Sequence, residues 1–199
     1  MGKINEKLAE IGEIVEFGGY IWRVLDVQNG QALLLSEFVL ESRAYHSENV
    51  AITWENCTLR HYLNGEFYEK FSVADRAKIL QMELKNSGNP LFGTKGGNIT
   101  TDNIFLLSLE EIVRYLGDSD KWANISNWVD EHLIDDKFNE NRIAKYVDGT
   151  PEWWWLRSPG YGSYDAVGID EFGRVNLGGG FVSEVDSGVR PALWIKLEF

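Results

Sequence analysis

A turn-rich stretch from residue 159 to 187 carries the side chains best suited to binding chemistry. Tyrosines stand there among Gly and Ser residues, which is the composition of adaptable recognition loops, and three acids follow within the next ten positions. Solvated loop residues with no ligand are the alternative interpretation, and the sequence leaves it open. Together with a nearby arginine, the predicted ligand-binding residues are Tyr161, Tyr164, Asp165, Asp170, Glu171 and Arg157.

The run "WWWLRS" precedes this stretch and reads as a strand. Side chains alternate across a strand, so Trp153, Trp155 and Arg157 share one face. An aromatic platform with a guanidinium would suit stacking on sugars, bases or peptide side chains. A strand of this composition is more typical of a core, in which Arg157 and Arg190 tie down carbonyls or a buried carboxylate.

Catalytic and metal motifs are absent from the sequence. The histidines, at 46, 61 and 132, lack metal spacing, and Cys57 has no second cysteine. The acids do not follow a calcium-loop pattern, and the three glycines at 178–180 do not open a phosphate-binding helix. We therefore expect no metal or cofactor and favour a non-enzymatic protein. A hydrolase that uses Asp165, Asp170 or Glu171 is the alternative.

Charge limits the partners of this 199-residue chain. Its net charge is -12, which disfavours nucleic acid and anionic membranes because binding to phosphate needs clustered Lys and Arg. A protein, peptide or glycan partner is compatible with this charge. No signal peptide or transmembrane run is evident, so we expect a cytoplasmic protein, with secretion left open.

Strands are predicted at both ends of the chain. Gly18-Gly19 and Asn29-Gly30 separate three strands in the first forty residues. The final segment, 188–199, alternates as one strand interrupted by Pro191, and it is expected to pair with the N-terminal strands. These elements predict one α+β domain over 1–199, mainly an antiparallel sheet, with residues 1–11 flexible.

Helices are predicted between the terminal strands. Leu59, Tyr62, Leu63 and Phe67 lie on one helical face, with a cap at Thr53 or Asn56 and an interruption at 64–65. Ser72 with Asp75, and Ser108 with Glu111, have capping-box spacing. The stretch 105–107 is expected to be a strand that leads into the second of these helices, 85–98 a loop, and 118–150 helical fragments anchored by Trp122, Trp128 and Tyr146.

Four motifs in series, "TWENCTLRHYLN", "IFLLSLEE", "WWWLRSPG" and "SGVRPALWI", carry a family resemblance. Together they resemble a bacterial domain family of unknown function that is marked by Trp-Trp-Leu-Arg-Ser-Pro-Gly and Gly-Val-Arg-Pro-Ala. That family is distantly similar to C-type-lectin-like proteins and sulfatase-modifying factors. The resemblance implies that the terminal strands pair, helices flank the sheet and irregular loops carry the ligand contacts.

Departures from those relatives argue against two of their activities. Sulfatase-modifying enzymes use cysteines in their C-terminal half, where this chain has none, and the calcium motifs of sugar-binding lectins are missing. Fold alone does not give function. The leading hypothesis is therefore a binding module that presents the 85–100 and 159–187 loops. A hydrolase and a subunit that assembles through its aromatic surface stay as alternatives.

Overall fold

The computed structural model describes residues 2–3, 10–117 and 132–197. The regular structure of the described residues is mainly antiparallel sheet accompanied by short helices, so this is a single α+β domain. Gly2 and Lys3 pair with a later strand, whereas the rest of the segment predicted to be flexible, apart from residues 10 and 11, is outside the described residues. Trp122 and Trp128, predicted as anchors, are also outside them.

The first sheet has six strands in the order β1-β2-β3-β4-β16-β6. Their bounds are β1 Gly2–Lys3, β2 Ile14–Phe17, β3 Tyr20–Gln28, β4 Gln31–Ser36, β6 Ile79–Leu80 and β16 Ala192–Lys196. The three predicted N-terminal strands are confirmed as β2, β3 and β4. Asn29 and Gly30, between β3 and β4, both have positive φ, as a tight hairpin turn requires.

The second sheet also has six strands, in the order β5-β15-β12-β13-β14-β9. Their bounds are β5 Glu41–Ser42, β9 Leu133–Ile134, β12 Trp154–Pro159, β13 Asp165–Ile169, β14 Val175–Phe181 and β15 Gly188–Val189. Two small ladders complete the strands, namely β7 Met82–Leu84 with β8 Thr100–Asp102 and β10 Ala144–Lys145 with β11 Pro151–Glu152.

The C-terminal segment, predicted as one strand with an interruption at Pro191, is divided at that residue between the two sheets. Gly188 pairs with Trp154 in the second sheet, and β16 pairs antiparallel with β4 in the first, Leu193 opposite Leu34. The chain crosses between the sheets at Arg190 and Pro191, where proline cannot continue a ladder because it lacks an N–H. The expected closure of the last strand on an N-terminal strand is confirmed.

Helical segments lie between the terminal strands. Among the described residues they are a 3₁₀ turn Trp54–Asn56, α1 Thr58–Tyr62, a π-helical turn Leu63–Phe67, α2 Val73–Arg76, α3 Leu109–Leu116 and α4 Asn139–Arg142. The buried face through Leu59, Tyr62, Leu63 and Phe67 is confirmed, and the interruption expected at 64–65 is the π turn.

Caps and a connecting segment differ in part from expectation. The Cys57 side chain, rather than Thr53 or Asn56, caps α1 by accepting the Arg60 N–H. Ser72 caps α2, and Ser108 with Glu111 forms the full capping box of α3. Residues 105–107 form no strand, since Phe105 makes only a single bridge to Ala192. The stretch 85–98 is a loop, as predicted.

Aromatic side chains fill much of the core. Trp22, Trp54, Trp154 and Trp155 are completely buried. Each indole N–H has an acceptor; Trp154, for example, donates to the Arg142 carbonyl and Trp155 to the Arg43 carbonyl. A satisfied N–H allows an indole to be buried without the cost of an unpaired donor. Two of the three consecutive tryptophans are therefore core residues.

Candidate functional site

Two loops predicted to carry recognition pack against each other. The Asn89 side-chain amide donates to the carbonyls of Pro159 and Leu177, at 3.0 and 2.8 Å. Thr94 Oγ1 donates to the Tyr161 carbonyl at 2.8 Å, and the Phe92 ring meets the Tyr161 ring edge to face. These bonds hold the 85–98 loop on the second sheet, so the two loops form one surface.

A cleft of about 610 Å³ opens beside β12 and the end of β14. Its size falls within the range of small-ligand pockets. The lining contains one aromatic side chain, Trp153, and three carboxylates. The lining residues are Glu152, Trp153, Asn176, Gly179, Gly180, Ser183, Glu184, Val185, Asp186 and Ser187, and we refer to them as the Trp153 cleft.

Glycine at position 168 allows the Trp153 indole to lie on β13. A Cβ atom at Gly168 would come within 1.8 Å of Trp153 Cζ2, a distance that no folded protein tolerates. The indole also meets Trp155 edge to face, with ring centroids 4.4 Å apart. Trp153 is half-buried, whereas Trp155 is fully buried. The predicted aromatic face is therefore open to solvent only at its first residue.

The segment that carries the cleft's acids is held by backbone hydrogen bonds. Arg43 N donates to the Ser187 carbonyl at 2.9 Å, and His46 N donates to the Val182 carbonyl at 2.7 Å. Glu184 and Asp186 lie between these two anchors with exposed side chains. No lysine or arginine lines the Trp153 cleft, and no described residue forms an ion pair with Glu152, Glu184 or Asp186. The cleft thus combines one aromatic ring with three carboxylates that form no ion pair with the described residues.

Both predicted tyrosines are on the surface. Tyr161 and Tyr164 are 66% and 49% exposed. The Tyr164 carbonyl accepts the Val182 N–H at 2.9 Å, which places this tyrosine next to the strand end that leads into the Trp153 cleft. Tyr161 lies against Phe92 instead, on the side of the 85–98 loop.

The predicted acids do not converge. Asp165 begins β13 and accepts the Gly162 N–H at 3.1 Å, whereas Asp170 and Glu171 follow the other end of that strand. Five residues of strand separate the two ends by roughly 16 Å, which exceeds the spacing of paired glycosidase carboxylates. Asp170 is nearly buried and bonds to Arg174 Nε at 2.6 Å, which stabilises a turn. Glu171 is exposed.

Arg157 is a buried structural residue in this fold. Its guanidinium is bonded bidentately to the Glu111 carboxylate and donates to the Leu106 carbonyl at 2.8 Å. Its Nε donates to Asn86 Oδ1 at 3.2 Å. These bonds occupy the guanidinium and link α3 to the 85–98 loop, and a ligand contact of Arg157 stays a prediction.

The cysteine is a buried thiol whose sulfur accepts the Arg60 N–H at the start of α1. Burial raises the pKa of Cys57 to about 12, and desolvation raises the pKa of the neighbouring Tyr45 well above its usual value. A protonated, buried thiol is a poor nucleophile. Among the described residues, no three His, Cys, Asp or Glu side chains are grouped so that they could hold a metal ion.

Sequence reasoning missed the acids of the cleft. Glu152 lies more than 30 positions before Glu184 and Asp186 in the chain, and the parallel pairing of β12 with β15 brings the two segments together. The signal that could have identified them is "VSEVDS", residues 182–187, which places two unpaired acids directly after a glycine-rich strand.

Comparison with known proteins places the chain in a family. Residues 29–197 match the family described as Domain of unknown function (DUF6273), and the chain belongs to that family. No match was found among curated proteins or among solved structures. Over residues 2–3, 10–117 and 132–197, no helix has the length and apolar character to cross a bilayer.

Proposed function

We propose that this protein is a non-enzymatic binding module that recognises a basic peptide segment of a protein partner through the Trp153 cleft. The observation that carries the proposal is the combination of a half-buried indole with three carboxylates and no lining cation. An indole face attracts ammonium and guanidinium groups. The three carboxylates of the cleft also attract cationic groups.

Charge supports a basic ligand over a neutral one. The net charge of -12 extends the negative field of the cleft over the whole protein, and such a field accelerates encounter with a cationic partner. Each exposed ion pair contributes only about 0–1 kcal/mol, and a cation–π contact at an exposed site about 0.5–1 kcal/mol. We therefore expect weak binding that salt reduces further.

Surrounding residues supply the edges of the recognition surface. Tyr164 and Phe181 are exposed at the paired ends of β13 and β14. Aromatic side chains at such positions extend the contact area for a peptide backbone or an apolar neighbour of the basic residue. Tyr161 lies further away, beside Phe92, and is expected to contribute less.

We infer that the domain is C-type-lectin-like, since its last strand pairs with an N-terminal strand and its second sheet carries the loops. A cytoplasmic location stays a prediction.

A glycan ligand is the main competing possibility, because the cleft also contains Asn176, Ser183 and Ser187, whose polar groups suit hydroxyls.

A matched peptide series tests the proposal. Fluorescently labelled peptides with a central Lys or Arg are compared with the same peptides carrying Gln, using fluorescence anisotropy at low and at physiological salt. We expect the basic peptides to bind more tightly, and Trp153→Leu and Glu184→Gln/Asp186→Asn each to weaken binding about tenfold. Glu69→Gln/Glu83→Gln removes two exposed acids elsewhere and is the charge-matched control.

Three outcomes would contradict the proposal. Equal binding of Lys and Gln peptides would remove the role of charge. Equal losses of peptide affinity in the cleft variant and in the charge-matched control would indicate that the overall negative charge of the protein, and not a specific site, attracts the peptide. Binding on a glycan array that depends on Trp153 but not on Glu184 and Asp186 would favour the glycan. Light scattering of the free protein tests the assembly alternative.

A further inference from the structure

Arg190 is a buried cation whose hydrogen bonds are incomplete. Its side chain is almost fully buried at the point where the chain crosses from the second sheet to the first. Nε donates to the Ser36 carbonyl at 2.7 Å, and the guanidinium carbon lies 5.0 Å from the centre of the Trp154 ring. Nη1 is enclosed by protein, yet no described group accepts a hydrogen bond from it.

The carboxylate that stabilises the positive charge of Arg190 is that of Glu37, and it already forms an ion pair with another arginine. Glu37 supports the charge of Arg190, but it is bonded in a two-point ion pair to Arg23, with Arg23 Nε 2.9 Å from Oε2 and Nη2 2.6 Å from Oε1. Burial lowers the pKa of Arg190 to about 10, so the group is still protonated at neutral pH. A buried guanidinium without a counter-ion is unfavourable unless something supplies one.

A second cleft, of about 650 Å³, is lined by Arg190 and has no lining residue in common with the Trp153 cleft. Its wall is mixed. Val24, Leu25 and Leu116 are apolar, while Lys145 is an exposed cation for which no ion pair is found among the described residues. An apolar wall beside two available cations is the lining that an organic anion requires.

We propose that this second cleft binds a small organic monocarboxylate, with the carboxylate on Arg190 and the apolar body against the Val24, Leu25 and Leu116 wall. A guanidinium can form two parallel hydrogen bonds to a planar carboxylate. Because protein encloses Nη1, this two-point contact requires the side chains around Nη1 to move when the carboxylate binds. Lys145 at the rim assists as a second positive charge. Glu37 and Glu140 also line the cleft, and their carboxylates disfavour a dianion such as phosphate.

A pair of isosteric probes tests the proposal on the whole chain. Benzoate and benzamide have nearly the same shape and differ in charge, and inorganic phosphate is the third probe. Binding is measured by calorimetry and by NMR, following the Nε–Hε resonance of Arg190. We expect benzoate to bind at least about tenfold more tightly than benzamide, because only the carboxylate neutralises the buried charge, and we expect phosphate to bind weakly.

Variants assign the binding to the proposed residues. Arg190→Lys keeps the charge but loses the two-point contact, and we expect benzoate affinity to fall about tenfold. Lys145→Gln, at an exposed position, should lower it about threefold. Lys95→Gln removes an exposed lysine of the 85–98 loop and should leave the affinity unchanged.

Failure would be clear even if Arg190→Lys does not fold. Benzoate that binds no better than benzamide to the wild-type protein, or that leaves the Arg190 resonance unmoved, would overturn the proposal. Benzoate affinity equal in Lys145→Gln and Lys95→Gln, with the Arg190 resonance unmoved, would do the same. Peptide binding at the Trp153 cleft is measured separately, so failure of one site is distinguishable from failure of the other.

Discussion

Arg60 on α1 donates from Nε to the Asp102 carboxylate of β8 at 2.6 Å, and Asp102 is completely buried. The second Asp102 oxygen accepts hydrogen bonds from Trp54 Nε1 and Thr100 Oγ1, both at 2.9 Å. One carboxylate therefore joins the 3₁₀ turn, α1 and the β7–β8 ladder. A buried charge satisfied in this way keeps its surroundings in a single arrangement.

Asp102→Ala should destabilise the protein strongly. Removal of the carboxylate leaves the partly buried Arg60 without its partner and two buried donors without an acceptor, which together cost about 3–5 kcal/mol of unfolding free energy. Urea unfolding followed by circular dichroism measures this loss. Asp75→Ala, at an exposed helix start, is the control and should cost less than about 1 kcal/mol. Equal losses in the two variants would show that the buried network contributes nothing.

Arg157→Lys separates a structural role from a ligand contact. Lysine cannot make the two-point bond to Glu111 while also donating to the Leu106 carbonyl, so we expect a loss of about 2–4 kcal/mol in unfolding free energy. A double-mutant cycle with Glu111→Gln should give a coupling energy above about 1 kcal/mol. At a temperature where the variant stays folded, peptide affinity should be unchanged. A folded, fully stable variant that had lost peptide binding would restore the original prediction of a ligand contact.

Alkaline pH should destabilise the fold through Cys57 and Tyr45. Burial raises the pKa of the Cys57 thiol from 9.0 to about 12, so the unfolded chain releases this proton at lower pH than the folded protein. The difference in pKa therefore leaves the free energy of unfolding unchanged below about pH 9 and lowers it as pH rises from about 9 to 12. The slope per group is about 1.4 kcal/mol per pH unit.

Unfolding free energies measured between pH 8 and pH 11 under reducing conditions test this dependence. Cys57→Ala removes the titrating group, and its curve should decline less steeply than that of the wild type even though the variant is less stable overall. The folded wild type should also resist thiol reagents at pH 8 until denaturant is added. Rapid labelling of the native protein would contradict the assignment of a buried, protonated thiol.

Gly168→Ala should displace Trp153. The added Cβ would overlap the six-membered part of the indole, so the ring must rotate away or β13 must shift, and overpacking of this kind costs about 1–3 kcal/mol. Peptide binding should weaken together with stability. Gly65→Ala, where a Cβ meets open space and φ is not positive, is the matched control. Unchanged peptide affinity in folded Gly168→Ala would show that Trp153 does not contribute to peptide recognition.

Local patterns in the sequence were sufficient for the elements that depend on neighbours in the chain. Asn29-Gly30 and Gly18-Gly19 set the first hairpins because glycine and asparagine reach positive φ. Ser108 with Glu111 marked the start of α3, and the apolar spacing from Leu59 to Phe67 marked a buried helical face. Backbone hydrogen bonding and side-chain periodicity decide such features within a few residues.

Tertiary structure alone decided which charged groups are available to a ligand. Arg157 and Arg190 look alike in sequence, each in or beside a predicted strand and close to a proline. Glu111 nevertheless pairs with Arg157, whereas no described carboxylate bonds to Arg190. Trp153, Trp154 and Trp155 are likewise identical by type, and only packing leaves the first partly open. Solvent exposure and ion pairing depend on contacts between distant segments, which a single sequence does not specify.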